Sequence, residues 1–151
     1  MDEEKLAILK AEIDAEKREI ENIYTKLKKR SYEKGESGIE SIGYQLHNLY
    51  CAFEDLFKII ANAFENYIQD KGQYHIELLK RMTIPIEGVR PALLSQESYI
   101  LLDNLRSFRH FFRHAYSYEL DARKVKIVME DATKLKEIYQ KDIHTFLDNF
   151  A

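Results

Sequence analysis

Apolar residues recur in the first part of the chain at Leu6, Leu9, Ile13, Ile20, Ile23 and Leu27, at spacings of three and four interrupted only at Glu16. Such a rhythm lines one face of a helix, and it predicts a long amphipathic helix from residue 2 to about residue 34. Gly35 and Gly38 mark its end, and Ser37 with Glu40 three residues on reads as a capping box opening the next helix. Ile39, Ile42, Leu46, Leu49, Phe53, Leu56, Ile60 and Tyr67 continue the period, losing it only at Ala63, toward an end near Asp70 to Gly72.

A short helix is expected from about Gln73 to Met82, followed by a loop holding both prolines, Pro85 and Pro91. Ser95 is placed to cap a fourth helix reaching about Tyr118, and Asp121 a fifth along Val125, Val128, Ala132, Leu135, Tyr139 and Phe146. Four long helices with one short additional helix describe an all-α antiparallel four-helix bundle. The 151 residues are the size of a single domain, expected to span 1–151.

Composition supports helices. Five Gly and two Pro supply too little turn chemistry for an all-β chain, and 45% apolar residues exclude a disordered one. Cys51 is the lone cysteine, so no intramolecular disulfide forms, which fits a reducing cytoplasm. The start Met1-Asp2-Glu3-Glu4 has no basic, then apolar, leader, and no apolar run approaches the length of a membrane span, so a cytoplasmic protein without membrane attachment is expected.

The net charge of −3 gives no whole-molecule reason to expect nucleic acid. Local charge does. Between Asn104 and Lys126 six cationic residues face only Glu119 and Asp121, a local excess of +4 that leaves −7 for the rest of the chain. With Arg106 at zero on a helical wheel, Leu101, Leu105, Phe108, Phe111, Phe112 and Ala115 fall at roughly 140° to 260°, the expected core side. The opposite arc carries Arg106, Arg109, Arg113, His110, His114, Tyr116 and Ser117, broken by Leu102. Arginines three and four residues apart repel on a bare helix, and their planar guanidinium groups suit phosphate. A solvated basic face paired with carboxylates from other helices is the plainer account. Two histidines within the stripe add a group that both accepts and donates a proton near neutral pH. Cleavage of RNA by its own 2′-hydroxyl needs that, with a cation to stabilise the charge developing on phosphorus oxygens.

At these residues the chain resembles a known family. Arg109-His110-Phe111-Phe112-Arg113-His114-Ala115-Tyr116 matches the Arg, four residues, His, one residue, Tyr signature of HepT-like HEPN toxins. The likeness extends through Leu46-His47-Asn48-Leu49-Tyr50, Glu54 and Gly88-Val89-Arg90-Pro91, covering about residues 38 to 122. It implies a HEPN-like bundle, a homodimer with a composite cleft between two signature helices, and metal-independent endoribonuclease activity without a cofactor. Arg109 and His114 then correspond to the catalytic pair, and His110 stands where the family often has another polar residue; Arg106, His110 and Arg113, the rest of the basic stripe, are expected to contact RNA phosphate. The family's partner is a small nucleotidyltransferase antitoxin that adds AMP to the signature tyrosine, here Tyr116.

On a straight helix Arg109 and His114 stand about 140° apart, at opposite edges of the polar arc, so a two-fold dimer is required to gather both around one phosphate. Tyr116 lies only about 20° from Arg109 on the same wheel, where an added AMP would put a phosphate beside the arginines.

Other candidates have simpler accounts. His110 and His114 at i, i+4 resemble zinc ligands, but the glutamate of a zinc-protease motif is absent and Arg113 intervenes. His47 and Glu54 read as helix-face residues, with Glu54 paired to Lys58; a shared cleft is the alternative. His75 and His144 have no evident constellation, and Cys51 reads as a plain helix residue without a histidine or cation in local helical reach. Tyr118 is the rival to Tyr116. The competing function is a non-catalytic helical bundle that binds a small nucleotidyltransferase or presents a substrate to it, a class without the Arg-to-His signature.

Overall fold

The computed structural model describes residues 1–65, 74–115 and 120–150. Five helices follow in order: α1 (Glu3–Arg30), α2 (Gly35–Phe64), α3 (Tyr74–Arg81), α4 (Gln96–Arg113) and α5 (Ala122–Asp148). There is no strand among the described residues, only an isolated bridge between Ile86 and Arg90 in the proline loop. The all-α bundle with one short extra helix is therefore as the periodicity predicts.

α2 is the central element. It packs against α1, α4 and α5, and also carries α3. Its faces are correspondingly apolar most of the way round: Leu46, Leu49, Tyr50, Phe53, Leu56, Phe57 and Ile60 are all essentially inaccessible. α1 contributes Leu9, Ile13, Ile20, Tyr24 and Leu27 to the same core. Tyr24 was hidden from the period because its hydroxyl is polar, yet the ring is buried and the O–H donates to Ala132 O of α5 at 2.8 Å. Burial raises the tyrosine pKa, so the hydroxyl stays a neutral donor. The ring of Tyr24 stacks on Tyr139, whose own hydroxyl donates to Glu21. Glu16, the interruption in the α1 pattern, is half-buried, and its carboxyl pKa is raised by that burial and by Asp55 and Glu19 nearby.

The α1–α2 turn departs from the capping-box reading. α1 closes at Ser31, whose N–H donates to Leu27 O at 2.9 Å, and α2 starts at Gly35 after Lys34, which supplies no side-chain cap. Ser37 is already inside the helix. Gly38 has a different reason to be glycine: a Cβ there would stand 2.8 Å from the backbone C and O of Glu33, so the turn can fold onto α2 only without a side chain. The other caps are as expected. Ser95 Oγ accepts from the Ser98 N–H at 3.3 Å, and Asp121 accepts from the Arg123 N–H at 2.9 Å.

Two ion-paired residues tie the loop and α3 to α2. Arg90 in the loop is buried, its Nη2 donating to Glu65 Oε1 at 2.8 Å and its Nη1 to the carbonyls of Ile84 and Pro91. His75 of α3 donates from Nδ1 to the buried Glu54 carboxylate at 2.8 Å. That pairing corrects the expectation that His75 stands alone, and it gives Glu54 a closer partner than Lys58, which is 4.0 Å away. Neither was visible in sequence because 21 residues separate His75 from Glu54. His144 likewise has a neighbour, Asp148 at 3.2 Å, one exposed turn along α5.

Candidate active site at the seam of α2 and α4

The buried stripe of α4 is not the one the helical wheel assigned. Leu101, Leu102, Leu105 and Phe108 are the buried apolar residues, whereas Phe111, Phe112 and Ala115 are only half-buried. The stripe is thus turned toward the Arg109 side, by roughly 60° on a wheel of 100° per residue. Leu102, which seemed to interrupt a polar face, is fully buried. The cause is the number of neighbours: α4 lies against α2, α3 and α5, so the flank that faces α2 is an interior seam rather than open surface.

Arg109 lies on that flank, two helical turns beyond Leu102, and is half-buried. Its Nε–H donates to Cys51 Sγ of α2 at 3.3 Å. His47, one turn before Cys51, places Nε2 4.0 Å from the same sulfur. Cys51 therefore has a histidine within helical reach at i−4, contrary to the expectation from sequence, and also an arginine that comes from another helix. The Nδ1 of His47 lies 3.3 Å from Asn48 Oδ1, and its ring packs on Phe112 at 5.5 Å between centroids. Burial lowers the pKa of His47, and Arg109 and Arg113 lower it further, against the raising effect of the Asn48 contact.

Gly43 allows this seam to close. A Cβ there would be 2.9 Å from Leu120 Cδ1 and 3.3 Å from Phe112 Cε2, so the missing side chain lets the end of α4 and the start of α5 settle on α2. Below the seam, Tyr50 is wholly buried with its hydroxyl lacking a hydrogen-bond partner. Burial raises its pKa, Glu54 adds to that, and Arg106 and Arg109 oppose it.

The other candidate residues divide into three groups. Arg106 is engaged on its own helix, Nε to Asp103 Oδ1 at 2.9 Å; the plainer account of the stripe expected carboxylates from other helices, whereas this one comes from α4 itself. Arg113 and His110 are exposed on the last turn of α4. His114 is not in the helix: α4 ends at Arg113, and His114 is the C-cap with φ −111° and ψ 10°, its N–H donating to Phe111 O at 3.0 Å. The wheel angle assigned to it does not hold, because that angle assumed a helix running to Tyr118. The rings of His110 and His114 are 4.7 Å apart on the exposed end. Among the described residues no three of His, Cys, Asp and Glu gather as metal ligands. Tyr116 and its rival Tyr118 lie outside the described residues.

One chain thus has two separate parts: Arg109 with His47 and Cys51 inside the seam, and His110 with His114 at the exposed helix end. A family model described as HepT-like protein matches residues 41–150, which takes in α2 from Ser41 onward, α3, the loop, α4 and α5 with every residue of the seam. The chain belongs to the HepT-like family. No curated protein and no solved structure matches it. The HepT-like match leaves α1 outside, so the helix that contributes none of the candidate chemistry is also the one beyond the family model. A HepT-like protein is of HEPN type, and the bundle around α2 is the all-α architecture that type implies. No helix of the described residues is long and apolar enough to cross a membrane.

Proposed function

We propose that this HepT-like chain is a single HEPN domain acting as a metal-independent endoribonuclease, the toxin of a bacterial toxin–antitoxin pair. The observation that carries this reading is the side chain of Arg109, drawn into a seam beside His47 while Arg113, His110 and His114 crowd the open end of the same helix. Cations of this kind suit a phosphodiester, and histidines supply the two proton transfers that a 2′-hydroxyl attack requires. Arg109 stabilises the oxygens on phosphorus, His114 carries a proton, and Arg106, Arg113 and His110 hold the RNA backbone.

His114 stands on the exposed end and Arg109 in the seam, so a second copy completes the site: a homodimer related by a two-fold axis brings the helix end of one protomer toward the seam of its partner. The cognate partner in this reading is a small cytoplasmic nucleotidyltransferase that silences the toxin by adding AMP to Tyr116, close after His114 in the chain. The bulky phosphate would then occupy the ground that RNA needs.

The test is cleavage of total cellular RNA in the presence of EDTA by wild type, Arg109→Ala and His114→Ala, with the intact mass of each protein recorded. The expected result is chelator-resistant cleavage leaving 2′,3′-cyclic phosphate ends, lost in both variants. No cleavage by a wild type of unmodified mass shifts the reading to a non-catalytic partner of a nucleotidyltransferase.

A further inference from the structure

The seam contains a histidine that the signature does not include. His47 comes from α2, within the family match but outside the Arg109-to-Tyr116 run, and the fold sets it next to Arg109. Three contacts join them in a row. Arg109 Nε–H donates to Cys51 Sγ at 3.3 Å, the sulfur lies 4.0 Å from His47 Nε2, and His47 Nδ1 lies 3.3 Å from Asn48 Oδ1. Asn48 Oδ1 only accepts, so the proton of the neutral ring belongs on Nδ1. Nε2 is then the ring's lone-pair nitrogen, and it is the one on the Arg109 side.

Its surroundings keep it in that form. The charged groups that face it from the packed helix are Arg109 and Arg113, both of which oppose a second proton, and burial opposes it further. On its own helix it is in polar contact with Asn48 and Cys51. The ring is held on its other side by Phe112, whose approach depends on Gly43 having no side chain. His47 is half-buried rather than enclosed. A helix-face histidine with a merely structural role would need none of this: no fixed tautomer, no lone pair on the side of the Arg109 guanidinium.

We propose that His47 is a catalytic residue of the ribonuclease, the base that removes the proton from the ribose 2′-hydroxyl. This inference rests on the ribonuclease reading above. The step balances within the substrate. Nε2 of His47 takes the 2′-hydroxyl proton, the 2′-oxygen bonds to phosphorus as the bond from phosphorus to the 5′-oxygen breaks, and that leaving oxygen receives a proton from His114. The product is a 2′,3′-cyclic phosphate and a free 5′-hydroxyl, with no co-reactant. Arg109, sharing the sulfur with His47, is placed to pair with the phosphoryl oxygens of the same nucleotide. Two histidines then divide the two proton transfers, one neutral in a cationic seam and one at the open helix end.

The experiment uses full-length wild type, His47→Gln and Arg109→Ala, all of unmodified mass, with an RNA oligonucleotide spanning the position that wild type cuts in cellular RNA. Single-turnover rates are measured across pH, and the Kd is measured for the same oligonucleotide with a 2′-deoxy sugar at the cut. The expected result for His47→Gln is a rate at least about 100-fold lower, loss of the limb in which wild-type rate falls with acid, and a Kd within about twofold. The unchanged Kd shows that the variant is folded. A His47→Gln rate close to wild type, while Arg109→Ala is inactive, overturns the inference and leaves the ribonuclease reading in place. A slower variant that keeps the acid limb also overturns it, since a structural defect would lower the rate without removing the titration. A wild type that cuts no RNA overturns both.

Discussion

Arg90 Nη2 meets Glu65 Oε1 at 2.8 Å with the side chains 0% and 4% exposed, so the loop that carries the chain's prolines is anchored by a buried ion pair to the C-cap of α2. The same guanidinium group also donates to the carbonyls of Ile84, Arg81 and Pro91, so one side chain ties the end of α3 to the loop that follows it.

Removal of Arg90 takes from the Glu65 carboxylate its buried partner, leaving it the part-exposed Arg81, and leaves those carbonyls without their donor. Arg90→Ala is expected to destabilise the protein by about 3–5 kcal/mol, the usual cost of breaking one side of a buried pair. Arg81 reaches the same Glu65 oxygen at 3.1 Å but is 37% exposed, and Arg81→Ala is expected to cost at most about 1 kcal/mol. Urea denaturation of the two variants measures the difference, and equal midpoints would refute the assignment of Arg90 as the anchor.

His47 also predicts a pH dependence of stability. Its pKa in the folded chain is below the ordinary 6.5, so the unfolded chain takes up its proton more readily. Stability from this group is full above pH 6.5 and declines as pH falls through that value toward the lower folded one. Arg109 and Arg113 face the ring from α4, with Asn48 and Cys51 on α2, and among the described residues no carboxylate contributes to the shift. The stability of His47→Gln is expected to fall less steeply than that of wild type over this range. Thermal unfolding at a series of pH values tests it, and parallel curves would count against a depressed pKa.

Arg106 and Arg113 are predicted to differ although both are arginines on one helix. Arg106 is already paired with Asp103 at 2.8 Å, whereas Arg113 is exposed on the last turn. Under the ribonuclease reading, Arg113→Ala is expected to weaken RNA binding and to reduce the slope of log K against log salt by about 0.7 to 1, as loss of one phosphate contact does. Arg106→Ala is expected to change the slope less. Salt titrations of binding to a 2′-deoxy-blocked RNA distinguish the two, and identical slopes would remove the distinction drawn here.

The sequence by itself determined the helices, because spacings of three and four residues are a property of one helix and its own turns. Leu46, Leu49, Phe53, Leu56 and Ile60 identify the buried side of α2 without reference to any other element, and Ser95 and Asp121 announce their helices through bonds only a few residues long. The signature on α4 was legible for the same reason, since Arg109 to Tyr116 is one contiguous run, and with its flanks it was enough to suggest the family that the match over residues 41–150 then gave. What only the tertiary structure decided is which side of a helix becomes interior. Leu102 and Arg109 are on one flank of α4, and a wheel drawn for an isolated helix assigns that flank to water; α2 packs there instead, burying Leu102 and drawing Arg109 to Cys51 and His47. The pairs Glu54 with His75 and Glu65 with Arg90 are invisible for a related reason, being closed across 21 and 25 residues by the return of the chain. The end of α4 at Arg113 also depends on more than local propensity, and it moves His114 off the helical wheel. Local periodicity fixes what a segment becomes, whereas burial and pairing of charged side chains depend on which other segment arrives beside it.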